Sequence, residues 1–153
     1  MPTITLATIV DAPIDDVFAF HLDTRNAARI SPRGSRVVSV EGVFPLVAGA
    51  EVRLVVRPLP LPLVQRWHVL VEQVVEPTLV VDRMLSGPFA EWVHEHRFTA
   101  IGADRTLLED RVAYRLPGGR LGVPAAPIAG LVLRNILAQR QARTRTLLAR
   151  GPG

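Results

Sequence analysis

His94, His96 and Asp110 are the residues whose types and spacing best suit chemistry in this sequence. They fall in residues 86–122, where SGPFAEWVHEHRF is followed by a short turn and TLLEDRVAYRLPGGRLG. Trp92, His94, His96 and Phe98 alternate with Glu91, Val93, Glu95 and Arg97. Leu108, Asp110, Val112, Tyr114 and Leu116 alternate with Glu109, Arg111, Ala113 and Arg115. Period-two alternation marks half-buried strands, because successive side chains point to opposite faces. Ile101-Gly102-Ala103-Asp104 between them has turn chemistry. A turn centred near Gly102–Ala103 sets Phe98 opposite Leu108, His96 opposite Asp110, His94 opposite Val112 and Trp92 opposite Tyr114. A slip of one residue would move the whole set to the other face.

An inward histidine held by a carboxylate is a candidate acid or base. Imidazole titrates near neutrality, and the carboxylate orients it toward an acidic carbon or hydroxyl of a ligand. His96 and Asp110 are the candidate catalytic pair. The same two residues could simply satisfy each other in a core, as buried polar groups do. His94 and His96 would suit zinc together with Asp110 if His68 shared their face and depth. That condition is unsupported by the sequence, and the expectation is no metal and no cofactor. Trp67, Trp92, Phe89, Phe98 and Tyr114 could stack on a ring-bearing ligand or form ordinary core. Arg83 and Arg140 could meet an anionic head group or lie at the surface. Asn135 is a candidate hydrogen-bonding group on the inward face of a long helix.

The elements that must position these residues follow in order. Thr3–Val10 alternates and reads as a strand, with Ile4, Leu6, Thr8 and Val10 on one side. Asp11-Ala12-Pro13 opens a short helix whose Ile14, Val17, Phe18 and His21 form one face. Thr24 is placed to cap a second short helix that Pro32 stops. Ser35–Val43 and Ala50–Arg57 read as strands joined through a turn at Pro45–Gly49. Pro58-Leu59-Pro60-Leu61-Pro62 favours an extended surface loop, because proline lacks the donor a sheet ladder needs. Gln65–Val75 and Leu79–Leu85 are strands about a turn at Glu76-Pro77-Thr78. Val123–Arg150 is the long helix, starting near Ala126 and ended by Gly151-Pro152-Gly153. Ile128, Leu131, Val132, Asn135, Ile136 and Gln139 trace its inward stripe, widened by Leu133, Leu137, Leu147 and Leu148.

The length of 153 residues suits a single domain, 1–153, with a substantial core. Strands joined by short turns imply an antiparallel sheet of about six to seven strands, covered by the long helix: an α+β class. The absence of cysteine excludes disulfides, thiolate metal sites and a thiol nucleophile. No run approaches the roughly 18 apolar residues of a spanning helix, and MPTITLATIVDAP lacks secretory features. A cytoplasmic location is the resulting expectation. All 18 basic residues are arginine, and eight of them follow Asp110 with no carboxylate side chain among them. A basic face of this kind could contact an acidic partner, a membrane surface or nucleic acid, although a solvated helix face is the simpler reading and no nucleic acid is expected. No glycine-rich phosphate loop and no nucleophile elbow is present.

The order of elements resembles the helix-grip fold of the START/Bet v 1-like superfamily, also called SRPBCC or polyketide cyclase-like. Asp11-Ala12-Pro13-Ile14-Asp15-Asp16-Val17-Phe18 resembles the "APxxxVF" opening of that superfamily, and Asp23, Asn26, Arg29, Ser31 and Pro32 resemble its next segment. Gly87-Pro88-Phe89, Trp92, His94, His96, Phe98, Asp110, Val112, Tyr114, Pro117, Gly119 and Gly122 resemble a largely uncharacterised subgroup. The resemblance implies a sheet wrapped around the long C-terminal helix, two short helices after the first strand, and a cavity between sheet and helix. The expected function is binding of an apolar small molecule, a lipid, polyketide or other ring-bearing ligand. Trp67, Trp92, His94, His96, Phe98, Asp110, Tyr114 and Asn135 are its candidate contacts. The alternatives are a cyclase, dehydratase or isomerase using His96 with Asp110, or an interaction module using the basic helix. Monomer and homodimer are both compatible with the sequence.

Overall fold

The computed structural model describes residues 1–58 and 63–149, with Val123 by its backbone alone. The chain runs through β1 (Thr3–Val10), α1 (Ile14–His21), a 3-10 turn (Thr24–Ala28), β2 (Ser35–Glu41), β3 (Glu51–Pro58) and β4 (Gln65–Val75). It continues through β5 (Leu79–Ser86), β6 (Glu91–Gly102), β7 (Arg105–Arg115), two short 3-10 turns and α2 (Ala126–Leu148). The seven strands form one antiparallel sheet in the order β1-β7-β6-β5-β4-β3-β2. Each strand from β2 to β7 pairs with its neighbour in sequence, while β1 pairs with β7, so the chain leaves the sheet beside its own first strand. There α2 packs back, with Gln141 Nε2 donating to the Leu6 carbonyl of β1 at 3.2 Å.

The β6–β7 register is the expected one: Phe98 faces Leu108, His96 faces Asp110, His94 faces Val112 and Trp92 faces Tyr114. The inward side chains of the two strands are buried at every second position. Two apolar clusters result. One joins Val10, Val17, Phe18, Leu46, Val52, Val71, Val80, Phe98 and Leu108 beneath α1. The other joins Ile4, Met84, Trp92, Val112, Tyr114, Leu133 and Leu137 beneath α2. Phe98 meets the Phe18 ring edge-on, with centroids 5.4 Å apart, a favourable aromatic geometry.

Two local expectations are corrected, and two more fall outside the described residues. The residues after α1 form a 3-10 turn capped by Asp23, whose side chain accepts from Arg25 N; Thr24 is the turn's first residue. The proline-rich segment at 59–62 and the glycine-proline end of the chain lie outside the described residues. The inward stripe of α2 is rotated. Leu133, Leu137, Gln141 and Thr144 are its buried residues, whereas Ile128 and Leu131 are 68% and 72% exposed and Asn135 is exposed too. The stripe was expected to follow apolar side chains, but the second half of α2 buries Gln141, which meets the Asp110 carboxylate of β7, and Thr144, whose hydroxyl donates to the Arg140 carbonyl.

The start of α2 is tied to β7 by the Tyr114 hydroxyl, which donates to the Ala126 carbonyl at 3.2 Å. A Cβ added at Gly130 would stand 3.0 Å from that hydroxyl, so this turn of α2 approaches β7 as closely as glycine allows. Tyr114→Phe keeps the ring and removes the bond, and is expected to cost about 1 kcal/mol in denaturant unfolding. An unchanged midpoint would show that the contact does not hold the helix.

Candidate functional site

Between the sheet and α2 lies a cavity of about 910 Å³. Its apolar wall includes Leu46, Val52, Val71 and Val80 from one cluster, and Trp92, Leu133 and Leu137 from the other, with Trp67 and Phe89 between. The aromatic rings form a contiguous group: Trp67 is edge-on to Trp92 at 5.3 Å, and Phe89 lies 4.9 Å from Trp92, measured between centroids. The polar wall is made by His21, Asp82, His94, His96 and Arg140. Pockets for organic ligands usually have this make-up, large apolar walls with a few placed polar groups.

Asp110 stands behind the polar wall and organises it. Its Oδ1 accepts from His94 Nε2 at 2.9 Å and its Oδ2 accepts from Gln141 Nε2 at 2.7 Å. His96 Nδ1 also lies 2.8 Å from Oδ1, but makes no aligned hydrogen bond there, so that contact is electrostatic. His96 Nε2 is 3.6 Å from Asp82 Oδ2 on β5, placing this imidazole between two carboxylates. The His94 and His96 rings are 3.9 Å apart between centroids, and His21 lies 5.2 Å from His96. His21 is fixed from α1, its Nδ1 donating to the Val17 carbonyl at 2.7 Å.

Those contacts separate the charge states. Burial opposes charge on His96 most strongly, but Asp110 and Asp82 together outweigh it and raise its pKa to about 9. Burial also opposes charge on Asp110, and is overcome by His94 and His96, which hold the carboxyl well below its ordinary value. His94 is pushed down, first by desolvation and then by the charge on His96. His21 is pushed down to about 3 by the same two causes, moderated by its hydrogen bond to the Val17 carbonyl and by the charge on Asp110. At neutral pH the polar wall therefore holds one imidazolium, His96, beside two neutral imidazoles.

Of the expected ligand contacts, Trp67, Trp92, His94, His96 and Asn135 line the cavity. Asn135 does so as an exposed residue at its edge, because the stripe of α2 is rotated. Phe98, Asp110 and Tyr114 stand behind the lining: Phe98 packs on Phe18 and His21, Asp110 is covered by the histidines, and Tyr114 holds α2. The expected His96–Asp110 pairing is also corrected in detail, since the aligned carboxylate bond goes to His94. His68 lies apart from the cluster, with Nε2 2.7 Å from Glu51 Oε2, and Arg83 pairs with Glu72 at 2.6 Å. Two polar-wall residues were missed, Asp82 and His21, and so was Gln141 behind them. A signal existed for Asp82 and Gln141: each is a polar residue in an otherwise apolar inward row, Val80-Asp82-Met84 and Leu133-Leu137-Gln141.

No family model and no curated protein matches this sequence. Solved structures do match over nearly the whole chain. A START superfamily protein from Mycobacterium smegmatis superposes with a TM-score of 0.67 at 15% identity, covering 95% of this chain and 98% of that one. The chain has the helix-grip fold of that protein. Norcoclaurine synthase from Thalictrum flavum is similar at TM-score 0.70 and 14% identity, covering 97% of this chain and 87% of that one. The Zhui aromatase/cyclase from Streptomyces sp. R1128 gives 0.65 and 20%, covering 97% and 91%. Similarity at these identities speaks for the fold, and function must be argued from the site. Among the described residues no helix is long and apolar enough to cross a membrane.

The charge states predict the pH dependence of stability in chelator-treated protein. His96 has a folded pKa of about 9, above its ordinary 6.5. Its contribution is therefore complete below about pH 6.5 and is lost as pH rises through 9, at about 1.4 kcal/mol per pH unit between them. His21 and His94 are shifted the other way, so their contributions are present above 6.5 and fall away in acid. Thermal unfolding should be most resistant near pH 6.5, and His96→Gln should flatten the alkaline limb alone. Histidine NMR should show His96 titrating on the alkaline side of neutrality, and His21 and His94 in acid. Titration of these three rings together near 6.5 would contradict the assignments.

Proposed function

We propose that the protein binds an apolar, ring-bearing small molecule between the sheet and α2, with the ring system against Trp67, Phe89 and Trp92. The observation that carries this reading is the cavity itself, about 910 Å³ and walled largely by aliphatic and aromatic side chains. A chamber with extensive apolar walls and a few polar groups gathered at one end is the make-up of sites that take organic ligands. A ligand polar group would point to the His21, Asp82, His94, His96 and Arg140 wall. The helix-grip structures this chain resembles include an aromatase/cyclase and norcoclaurine synthase, so occupants with rings have precedent in the fold.

A second reading is favoured by one observation, the neutral and cationic imidazoles of His94 and His96 side by side on the cavity wall. Such a pair suits a proton-transfer reaction of the cyclase, dehydratase or isomerase kind, in which one ring accepts a proton and the other donates one. His94, oriented through Nε2 by Asp110, takes the accepting role and His96 the donating one.

Both tryptophans of the chain line the cavity, so intrinsic fluorescence reads its occupancy directly. 1-Anilinonaphthalene-8-sulfonate, a sterol and a medium-chain acyl series are the probes. Quenching or a blue shift with a saturable curve is expected for a ring-bearing probe, with stabilisation of about 2.7 kcal/mol at about 100 times Kd. Ala129→Trp, which fills the cavity from α2, should abolish binding without unfolding the chain. Failure of all probes to change fluorescence or melting, together with a ligand-free native mass spectrum of freshly purified protein, would overturn the binding reading. Retained binding with loss of turnover in His94→Gln would select the enzymatic one.

A further inference from the structure

The polar end of the cavity holds three groups in the arrangement of a metal site. Asp82, His94 and His96 each offer one ligand atom, and these three atoms lie within 4.8 Å of one another. His96 Nε2 and Asp82 Oδ2, the pair whose separation is defined, are 3.6 Å apart. In a tetrahedral centre with bonds of about 2.0–2.1 Å, neighbouring ligand atoms stand about 3.3 Å apart, close to the separation of that pair. The three residues come from adjacent strands with fixed register: Asp82 on β5 is directly opposite His94 on β6, and His96 is two residues further along β6. Side chains two apart on a strand share a face.

Behind these ligands the structure already contains the outer support that metal-binding histidines require. Asp110 takes His94 Nε2 at 2.9 Å and approaches His96 Nδ1 at 2.8 Å, leaving His94 Nδ1 and His96 Nε2 as the ring nitrogens it does not engage. A carboxylate that engages the far nitrogen of each ligating imidazole fixes ring orientation and raises basicity. Gln141 fixes that carboxylate in turn. The two buried rings are packed 3.9 Å apart, with His96 Nδ1 turned to Asp110 and Nε2 toward Asp82. The two carboxylates would balance a divalent charge, and all three ligand residues line the cavity, which leaves a fourth position facing the ligand space.

We infer that Asp82, His94 and His96 bind a divalent transition-metal ion of the zinc type, with Asp110 as the carboxylate that orients both histidines and an open coordination position toward the cavity. This differs from the zinc arrangement suggested by sequence spacing, because His68 is engaged with Glu51 outside the cluster and Asp110 supports the ligands. Three protein ligands with an open position are the pattern of reactive rather than purely structural zinc. An ion there would coordinate a polar atom of whatever fills the apolar chamber. The inference does not depend on which organic ligand does so.

The test uses the full chain, stripped with chelator and dialysed, with Zn²⁺ and Co²⁺ alone as probes. Calorimetry should show one Zn²⁺ per chain, and Co²⁺ should give the intense visible bands of a tetrahedral centre with imidazole ligands. Asp82→Asn and His96→Gln should abolish the Co²⁺ spectrum, Asp110→Asn should weaken Zn²⁺ by about 10- to 100-fold, and His68→Gln should change neither. Circular dichroism checks that each variant is folded. Should His96→Gln fail to fold, Asp82→Asn decides, since Asp82 is the least buried of the three ligands. Absence of stoichiometric binding to the wild-type chain would overturn the inference. So would binding that survives Asp82→Asn or that disappears with His68→Gln. Loss of Zn²⁺ binding with retained binding of the organic probes would remove the metal ligands while leaving the cavity reading intact.

Discussion

A single buried carboxylate sets the terms for this fold. Asp110 sits on the inward face of β7 with its charge removed from water, and an isolated charge there would be prohibitive. Its contacts come from two other elements: His94 and His96 from β6, and Gln141 from α2. Gln141 also bonds Leu6 of β1, so the same amide clamps the β1–β7 edge to the helix. The demand for partners at one point thus fixes the depth and rotation of α2. That is why its buried row turns polar at Gln141 while Ile128 and Leu131 face outward.

The cavity follows from the same constraint. With the C-terminal half of α2 held down at Gln141 and its start held at Tyr114, the helix spans the sheet without collapsing onto β3 and β4. The walls left between are Leu46, Val52, Trp67, Val71 and Phe89, largely apolar side chains, with the Trp67 indole N–H donating to Gln65 Oε1. The polar end gathers around Asp110: His96 acquires a charge because Asp110 and Asp82 outweigh its burial, and His94 and His21 lose theirs through burial first and the charge on His96 second. Asp110 accordingly links the position of the helix to the different protonation states along the chamber wall.

Much of this was legible in the chain. Alternation through Trp92–Phe98 and Leu108–Tyr114, with turn residues between, specifies both strands and their pairing, because the period-two pattern tolerates no slip when one face is buried. Element order was legible for the same kind of reason, since strands separated by short turns pair with their neighbours. Depth was not. Phe98, Asp110 and Tyr114 alternate inward like Trp92 and His94, yet only the three-dimensional layering decides which touch the chamber and which lie behind it. Asp82 was missed because its role depends on the β5–β6 register, a pairing that one strand's pattern does not reveal. The rotation of α2 was misread because apolar count was followed where a polar contact decided the outcome. The two polar residues in apolar rows, Asp82 and Gln141, were the available clue.

The most direct test of this account is a double-mutant cycle between Asp110→Asn and Gln141→Ala, read by denaturant unfolding of chelator-treated protein. If the carboxylate is the point at which helix and sheet are joined, the two substitutions must be strongly non-additive, with a coupling energy of about 1–3 kcal/mol. Additive effects within about 0.5 kcal/mol would mean that α2 is positioned by its apolar contacts alone, and that Asp110 does not organise the structure around it.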